Sequence, residues 1–302
     1  MGYYKTTNFQ VQQRQMYDPN DLFDITSSDT TYLEIGSGSD KRSFRATIYR
    51  PNIKSKERAF PAFIDVHGGA WQGGSRSDGE YIDRSLAASG MVVAAVDFRV
   101  APQDPYPRQV QDVNYAVRWW KTECFNYAGD PSIFGGMGIS SGGHTLMLNS
   151  LKPHDPAYTK HTSEKLSGTD STLNYVIGVS AVLDSYERYI YAKGAAIENL
   201  IRGTETYFIT EENMQLANPQ TVLDSKSHQH LPSCLLIHGT VDGNVPNEIP
   251  NRFSKTYADL GGDIDLRLFE NMPHSFVRTP QPESHAAIQM MKEFIATQVN
   301  FR

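Results

Sequence analysis

Four short stretches of this sequence combine residue types that acyl-transfer chemistry requires. The first is Gly138-Ile139-Ser140-Ser141-Gly142-Gly143. A serine hydroxyl is a weak nucleophile in water, and it attacks a carbonyl only when it stands clear of the backbone beside a base. A sharp strand-to-helix turn presents it this way, and the tightness of that turn demands glycine two residues to either side. The competing reading of this stretch is a glycine-rich turn with an incidental serine. The second stretch is His67-Gly68-Gly69-Ala70-Trp71, which follows an apolar run. Glycines let backbone amides approach a developing oxyanion closely. The expected donors are the amides of Gly69 and Ala70, with Gly68 beside them, together with that of Ser141. His67 is expected to brace this loop. Trp71 either walls the substrate pocket or simply packs.

The third stretch is Gly239-Thr240-Val241-Asp242-Gly243-Asn244-Val245-Pro246, where Asp242 could orient an imidazole. Asp-Gly is also a common turn dipeptide. The fourth, Asn271-Met272-Pro273-His274-Ser275-Phe276, offers His274 as general base. Of the nine histidines, His274 is distinguished by its place after the last expected strand, with Asp242 upstream. His144 is expected to cap or pack inside its helix. His228 and His230 lack neighbouring ligands for a metal, and no metal or cofactor is expected.

These stretches need strand ends to hold them. Apolar runs predict strands at Thr30 to Ile35, Phe44 to Arg50, Phe60 to Val66, Met91 to Phe98, Ile133 to Met137, Leu173 to Ala181, Cys234 to His238 and Ile264 to Phe269. The turn Gly36-Ser37-Gly38-Ser39 between the first two is read as a hairpin, because no Gly-Lys-Ser/Thr ending marks a phosphate loop. Helical spacing is found at Gln109 to Thr122, His144 to Leu151, Asn247 to Leu260 and Pro282 to Thr297. The alternation predicts an α/β fold, a mostly parallel central sheet with helices on both faces. Ligands of such sheets bind at the carboxyl ends of the strands, where all four stretches fall.

The chain of 302 residues is read as one domain over 1–302, with residues 1–28 as an N-terminal arm or partial lid and 184–230 as a small cap over the site. A net charge of −6 argues against nucleic acid and anionic membrane surfaces as partners. No apolar run approaches the length of a bilayer span, and the two cysteines, Cys124 and Cys234, form no disulfide framework. The amino terminus lacks the apolar core of a secretory signal, and the residues after Gly2 fit a myristoylation site poorly. A cytoplasmic location is the expectation. Oligomeric state is not readable.

The order Ser140, Asp242, His274 resembles that of the α/β-hydrolase superfamily. Within it the chain looks like the hormone-sensitive-lipase-like carboxylesterases, with relatives among kynurenine formamidases and ferulate-type esterases. The resemblance covers roughly residues 40 to 300. It extends to Val96-Asp97-Phe98-Arg99-Val100-Ala101-Pro102, similar to the DYRLAP stretch of those esterases, and on through Tyr106-Pro107 and Asp112. It implies that Asp97 and Arg99 are scaffold. It also departs from the pattern: HGGAW stands where HGGG is frequent, and Ser141 where Ala or Gly is frequent. The implied activity is hydrolysis of a carboxylic ester of a small, apolar or aromatic substrate through an acyl-enzyme. An amidase or formamidase using the same residues is the alternative, and a non-catalytic ligand-binding relative a remote one. Tyr186, Tyr189, Tyr191, Tyr207 and Phe208 are either pocket aromatics or cap core.

Overall fold

The run Val92–Val96, Val-Val-Ala-Ala-Val, has no polar residue and forms strand β5, buried along its length. Such a strand must be covered on both faces, and the rest of the chain supplies the cover. In the computed structural model, which describes residues 13–14, 16–53 and 58–300, the other strands are β1 (Gln13–Arg14), β2 (Ile25–Ile35), β3 (Arg42–Pro51), β4 (Arg58–Val66), β6 (Gly129–Ile139), β7 (Tyr175–Val179), β8 (Ser233–Gly239) and β9 (Ile264–Phe269). Their order across the sheet is β2-β3-β5-β4-β6-β7-β8-β9, with β1 paired to the start of β4. β2–β3 and β3–β5 are antiparallel, and every pair from β5 to β9 is parallel. The expected mostly parallel sheet is present.

The helices are α1 (Glu80–Ala88), α2 (Arg108–Glu123), α3 (Ser141–Leu151), α4 (Ser185–Gly194), α5 (Glu198–Phe208), α6 (Glu211–Leu216), α7 (Pro219–Asp224), α8 (Glu248–Asp259) and α9 (Pro282–Asn300). Strand alternation divides the core into two layers. Ala62, Ile64 and Val66 of β4 join Val110 and Val113 of α2, Leu146 and Leu148 of α3 and Phe253 of α8. Phe63 of β4 joins Ile82 and Leu86 of α1 with Met291 and Ile295 of α9.

Two expectations need correction. Strand β2 begins at Ile25, inside the segment read as an arm. Residues 16–24 pack away from the carboxyl ends of the parallel strands. Tyr17 is buried with its hydroxyl 2.9 Å from Ser89 Oγ, and Phe23 packs edge-on against Phe60 at 5.5 Å. Both contacts lie at the amino ends of β4 and β5, where two aromatic rings find apolar surface. Gln13 and Arg14 form β1, and residues 1–12 and 15 of the arm, Gly2 among them, lie outside the described residues. Helix α1, absent from the sequence reading, fills the β4–β5 crossover. The segment read as a cap consists of α4 to α7. No helix among the described residues is long and apolar enough to cross a membrane.

Candidate active site

The end of β6 turns into α3 within one residue. Ser140 occupies that turn at φ 54°, ψ −118°, outside the regions ordinary residues favour. Its backbone is pinned by Ser140 N–H donating to the Val179 carbonyl at 2.9 Å and by Val182 N–H donating to its own carbonyl at 3.1 Å. The flanking glycines are sterically required. A Cβ on Gly138 would lie 2.6 Å from the Gly142 carbonyl oxygen, and one on Gly142 would lie 2.2 Å from those of Val66 and His67.

His274 meets the serine from the loop after β9. Its Nε2 is 2.9 Å from Ser140 Oγ, and its Nδ1 is 2.7 Å from Asp242 Oδ2. With a carboxylate at Nδ1, that nitrogen carries the proton, and Nε2 is left to accept from the serine hydroxyl. Asp242 Oδ1 accepts the amides of Asn244 and Val245 at 2.8 and 2.9 Å. Burial raises the Asp242 pKa, but the His274 hydrogen bond and charge and the Val245 amide outweigh it, and the carboxyl lies below its ordinary value. The acid turn and the histidine loop are pressed together at Gly239, where a Cβ would lie 2.1 Å from the Met272 carbonyl oxygen. The three residues singled out by motif and by position after a strand are thus joined in one relay.

The glycine loop after β4 lies against this relay. Gly68 is so close to the elbow that a Cβ there would sit 3.2 Å from Ser140 Cβ. Gly69 (φ 123°), Ala70 (φ 51°) and Trp71 (φ 62°) are consecutive left-handed residues. At Gly69 only glycine fits, since a Cβ would fall 2.2 Å from the Gly73 carbonyl oxygen. Among the described residues, the amides of Gly69, Ala70 and Ser141 meet no acceptor. His67 braces the loop with Nδ1 2.7 Å from the Gly68 carbonyl, its ring stacked on Phe98 at 4.2 Å. Burial lowers its pKa.

Trp71 is 1% exposed. Its ring stacks on Tyr207 at 5.2 Å and meets Phe208 edge-on, so the loop is packed against α5. Tyr207 and Phe208 are themselves fully buried and Tyr189 nearly so; of the five aromatics singled out between residues 184 and 230, these three belong to the core. Trp71 Nε1–H donates to His144 Nδ1 at 3.2 Å, and His144 Nε2–H donates to the Ala217 carbonyl at 2.6 Å. This fixes a neutral tautomer, and burial lowers the His144 pKa to about 4.

Sequence reasoning missed several supporting groups. The Ser141 hydroxyl accepts the Trp71 amide at 3.1 Å, so the departure from Ala or Gly ties the glycine loop to the elbow. Gln109 Nε2 holds the Trp71 carbonyl at 2.6 Å. Ser180 Oγ accepts the Ser275 amide at 3.0 Å, which anchors the histidine loop. Only Ser141, beside the nucleophile candidate, had a local signal. Arg99 grips Asp112 with Nη2–Oδ1 at 2.6 Å, and Arg76 Nη1 donates to Asp97 at 2.7 Å. These are the scaffold positions that the DYRLAP-like stretch implied.

Comparison with known proteins adds the following. The model of the BD-FAE family matches residues 47–257. Esterase LipC of Mycobacterium tuberculosis is 30% identical over 198 residues, 64% of this chain and 47% of that protein. The probable isoprenylcysteine alpha-carbonyl methylesterase ICMEL1 of Arabidopsis thaliana is 23% identical over 265 residues, 85% of this chain and 53% of that protein. The chain therefore spans about half the length of these relatives. The apo form of Thermogutta terrifontis esterase 2 superposes with a TM-score of 0.72 at 23% identity, covering 90% of this chain and 94% of that one. That likeness is one of fold.

Proposed function

The chain belongs to the BD-FAE family, and from that premise we propose that it is a serine carboxylesterase acting on small ester substrates through an acyl-enzyme. The observation that carries this reading is the relay Asp242–His274–Ser140, with contacts of 2.7 and 2.9 Å. The esterases among the relatives supply the reaction class.

In the first step Ser140 Oγ attacks the ester carbonyl carbon while His274 Nε2 takes the hydroxyl proton. The carbonyl oxygen becomes an oxyanion facing the amides of Gly69, Ala70 and Ser141, with Gly68 beside them. Each such donor contributes about 3 kcal/mol of transition-state stabilisation. His274 then gives its proton to the departing alkoxide, and the alcohol leaves. In the second step His274 takes a proton from water, hydroxide adds to the acyl carbon, and the proton returns to Ser140 as the acid is released. Asp242 keeps Nδ1 protonated throughout and stabilises the imidazolium.

Purified protein is expected to hydrolyse a short p-nitrophenyl ester, and Ser140→Ala is expected to abolish this without loss of fold. Turnover at the wild-type rate in that variant would refute the assignment. An amide or formamide would use the same residues but needs stronger protonation of its leaving group. Rates on a matched ester and formamide distinguish the two.

A further inference from the structure

The relay does not end at Asp242. Its Oδ1 is held by two peptide N–H groups, Asn244 and Val245. Each belongs to a peptide unit whose carbonyl is gripped in turn by helix α4. Tyr191 donates its hydroxyl to the Gly243 carbonyl at 3.3 Å, the other end of the Gly243–Asn244 peptide. Arg188 Nε donates to the Asn244 carbonyl at 3.1 Å, the other end of the Asn244–Val245 peptide. Residues three apart share one face of a helix, so a single cap face holds both peptide planes that orient Asp242. Hydrogen bonds in series polarise one another, and a guanidinium at the end of the series strengthens it most.

Arg188 is an unusual residue to bury. It is 3% exposed, its guanidinium lies 5.4 Å from the centre of the Trp71 ring, and Nη1 donates to Thr204 Oγ1 at 3.3 Å. Among the described residues no carboxylate pairs with it directly, although an unpaired buried cation is costly. Burial lowers its pKa to about 10, and the opposing influence is the charge of Asp242. The other titratable groups facing this cluster are His274, His238 at the end of β8, whose Nε2 is 3.7 Å from Asp242 Oδ2, and His144 of α3.

We propose that Arg188, seconded by Tyr191, is a positioning residue for the catalytic acid. It fixes the two peptide units that orient Asp242, so the docking of α4 governs the competence of the relay. The inference rests on the esterase reading above. It goes further in making the cap part of the catalytic apparatus rather than only a cover for substrate.

The test is pH-dependent steady-state kinetics on a short p-nitrophenyl ester for wild type, Arg188→Met, Arg188→Lys and Tyr191→Phe, each with its melting temperature. Arg188→Met is expected to lower kcat about 100-fold, the scale of a displaced catalytic group, with KM nearly unchanged. Removing a buried cation from the neighbourhood of the site favours its protonated forms, so the acidic limb of the kcat/KM profile moves to higher pH. Arg188→Lys keeps the charge and that limb but loses part of kcat, because an ammonium cannot reproduce the fork. Tyr191→Phe lowers kcat a few-fold with no shift of the limb. If Arg188→Met does not fold, the Lys and Phe variants carry the test. Wild-type kcat in both of these overturns the proposal, as does an effect confined to KM, or a loss of activity matched by the loss of folded protein. Failure of the esterase reading is separately visible: wild type itself then hydrolyses no ester, and this inference falls with it.

Discussion

Ser140 is held in a strained conformation (φ 54°, ψ −118°) by hydrogen bonds to Val179 of β7 and from Val182 just beyond it, and by flanking glycines that admit no side chain. Such strain costs roughly 1–3 kcal/mol, and it persists here because the turn projects Oγ onto His274. Ser140→Ala should lower ester turnover by roughly 10⁴-fold or more with an unchanged melting temperature, measured by initial rates and thermal scanning. Asp242→Asn should cost about 10⁴-fold, because an amide at this position no longer enforces the tautomer with Nδ1–H. The depressed Asp242 pKa also affects stability. An acid with a lowered folded pKa stabilises the fold above its unfolded pKa of about 3.9, and this is lost as pH falls through the folded value. The melting-temperature difference between wild type and Asp242→Asn should therefore be constant from pH 5 to 8 and shrink below about pH 4. The three relay residues were legible in the sequence because each lies in a short polar loop directly after an apolar run. Arg188 was not legible, because its role depends on a helix crossing the acid turn, and nothing in its neighbours encodes that crossing.

At the level of elements, the elbow works because β6, α3 and the end of β4 meet at van der Waals limits. Gly142→Ala places a methyl 2.2 Å from two carbonyl oxygens, so it should displace the turn and abolish ester hydrolysis even where soluble protein is recovered; initial rates and near-UV circular dichroism check this. A second element contact concerns stability alone. Asp65 at the end of β4 and Asp83 of α1 are both fully buried, without hydrogen-bond partners among the described residues. Burial raises both, Asp65 to about 7, and Asp83 is raised further by the neighbouring Asp65 charge. The folded state then binds more protons than the unfolded one, so this pair destabilises progressively as pH rises from about 4 through neutrality. Asp83→Asn should raise the melting temperature more at pH 8 than at pH 5, and equal shifts at the two pH values would contradict this. Most strands were readable from apolar runs. Helix α1 was not, because its nine residues carry Glu80, Asp83 and Arg84 among only a few core residues. The first half of β2 was missed for a related reason: it is an edge strand with half-buried and exposed positions and no alternating core face.

Across the whole molecule, the glycine loop, the elbow and helix α5 are joined through Trp71. Its ring lies between α5 and His144, and its backbone is tied to Ser141 and Gln109. Trp71→Ala should destabilise the protein by roughly 3–5 kcal/mol and lower kcat, since the cavity frees the loop that carries the Ala70 amide; chemical denaturation and initial rates measure both. The parallel sheet and the end at which the site lies followed from the alternation of strands and helices. The internal arrangement of residues 184–230 did not, because their four short helices are specified by long-range contacts such as Trp71–Tyr207 and Arg188–Asn244. An activated Ser140 reacts covalently with a fluorophosphonate, and labelling followed by peptide mass spectrometry reads this out. A single adduct is expected on the peptide containing Ser140, absent in Ser140→Ala and strongly slowed in Asp242→Asn. An unlabelled wild-type protein, or an adduct on another residue, would contradict it.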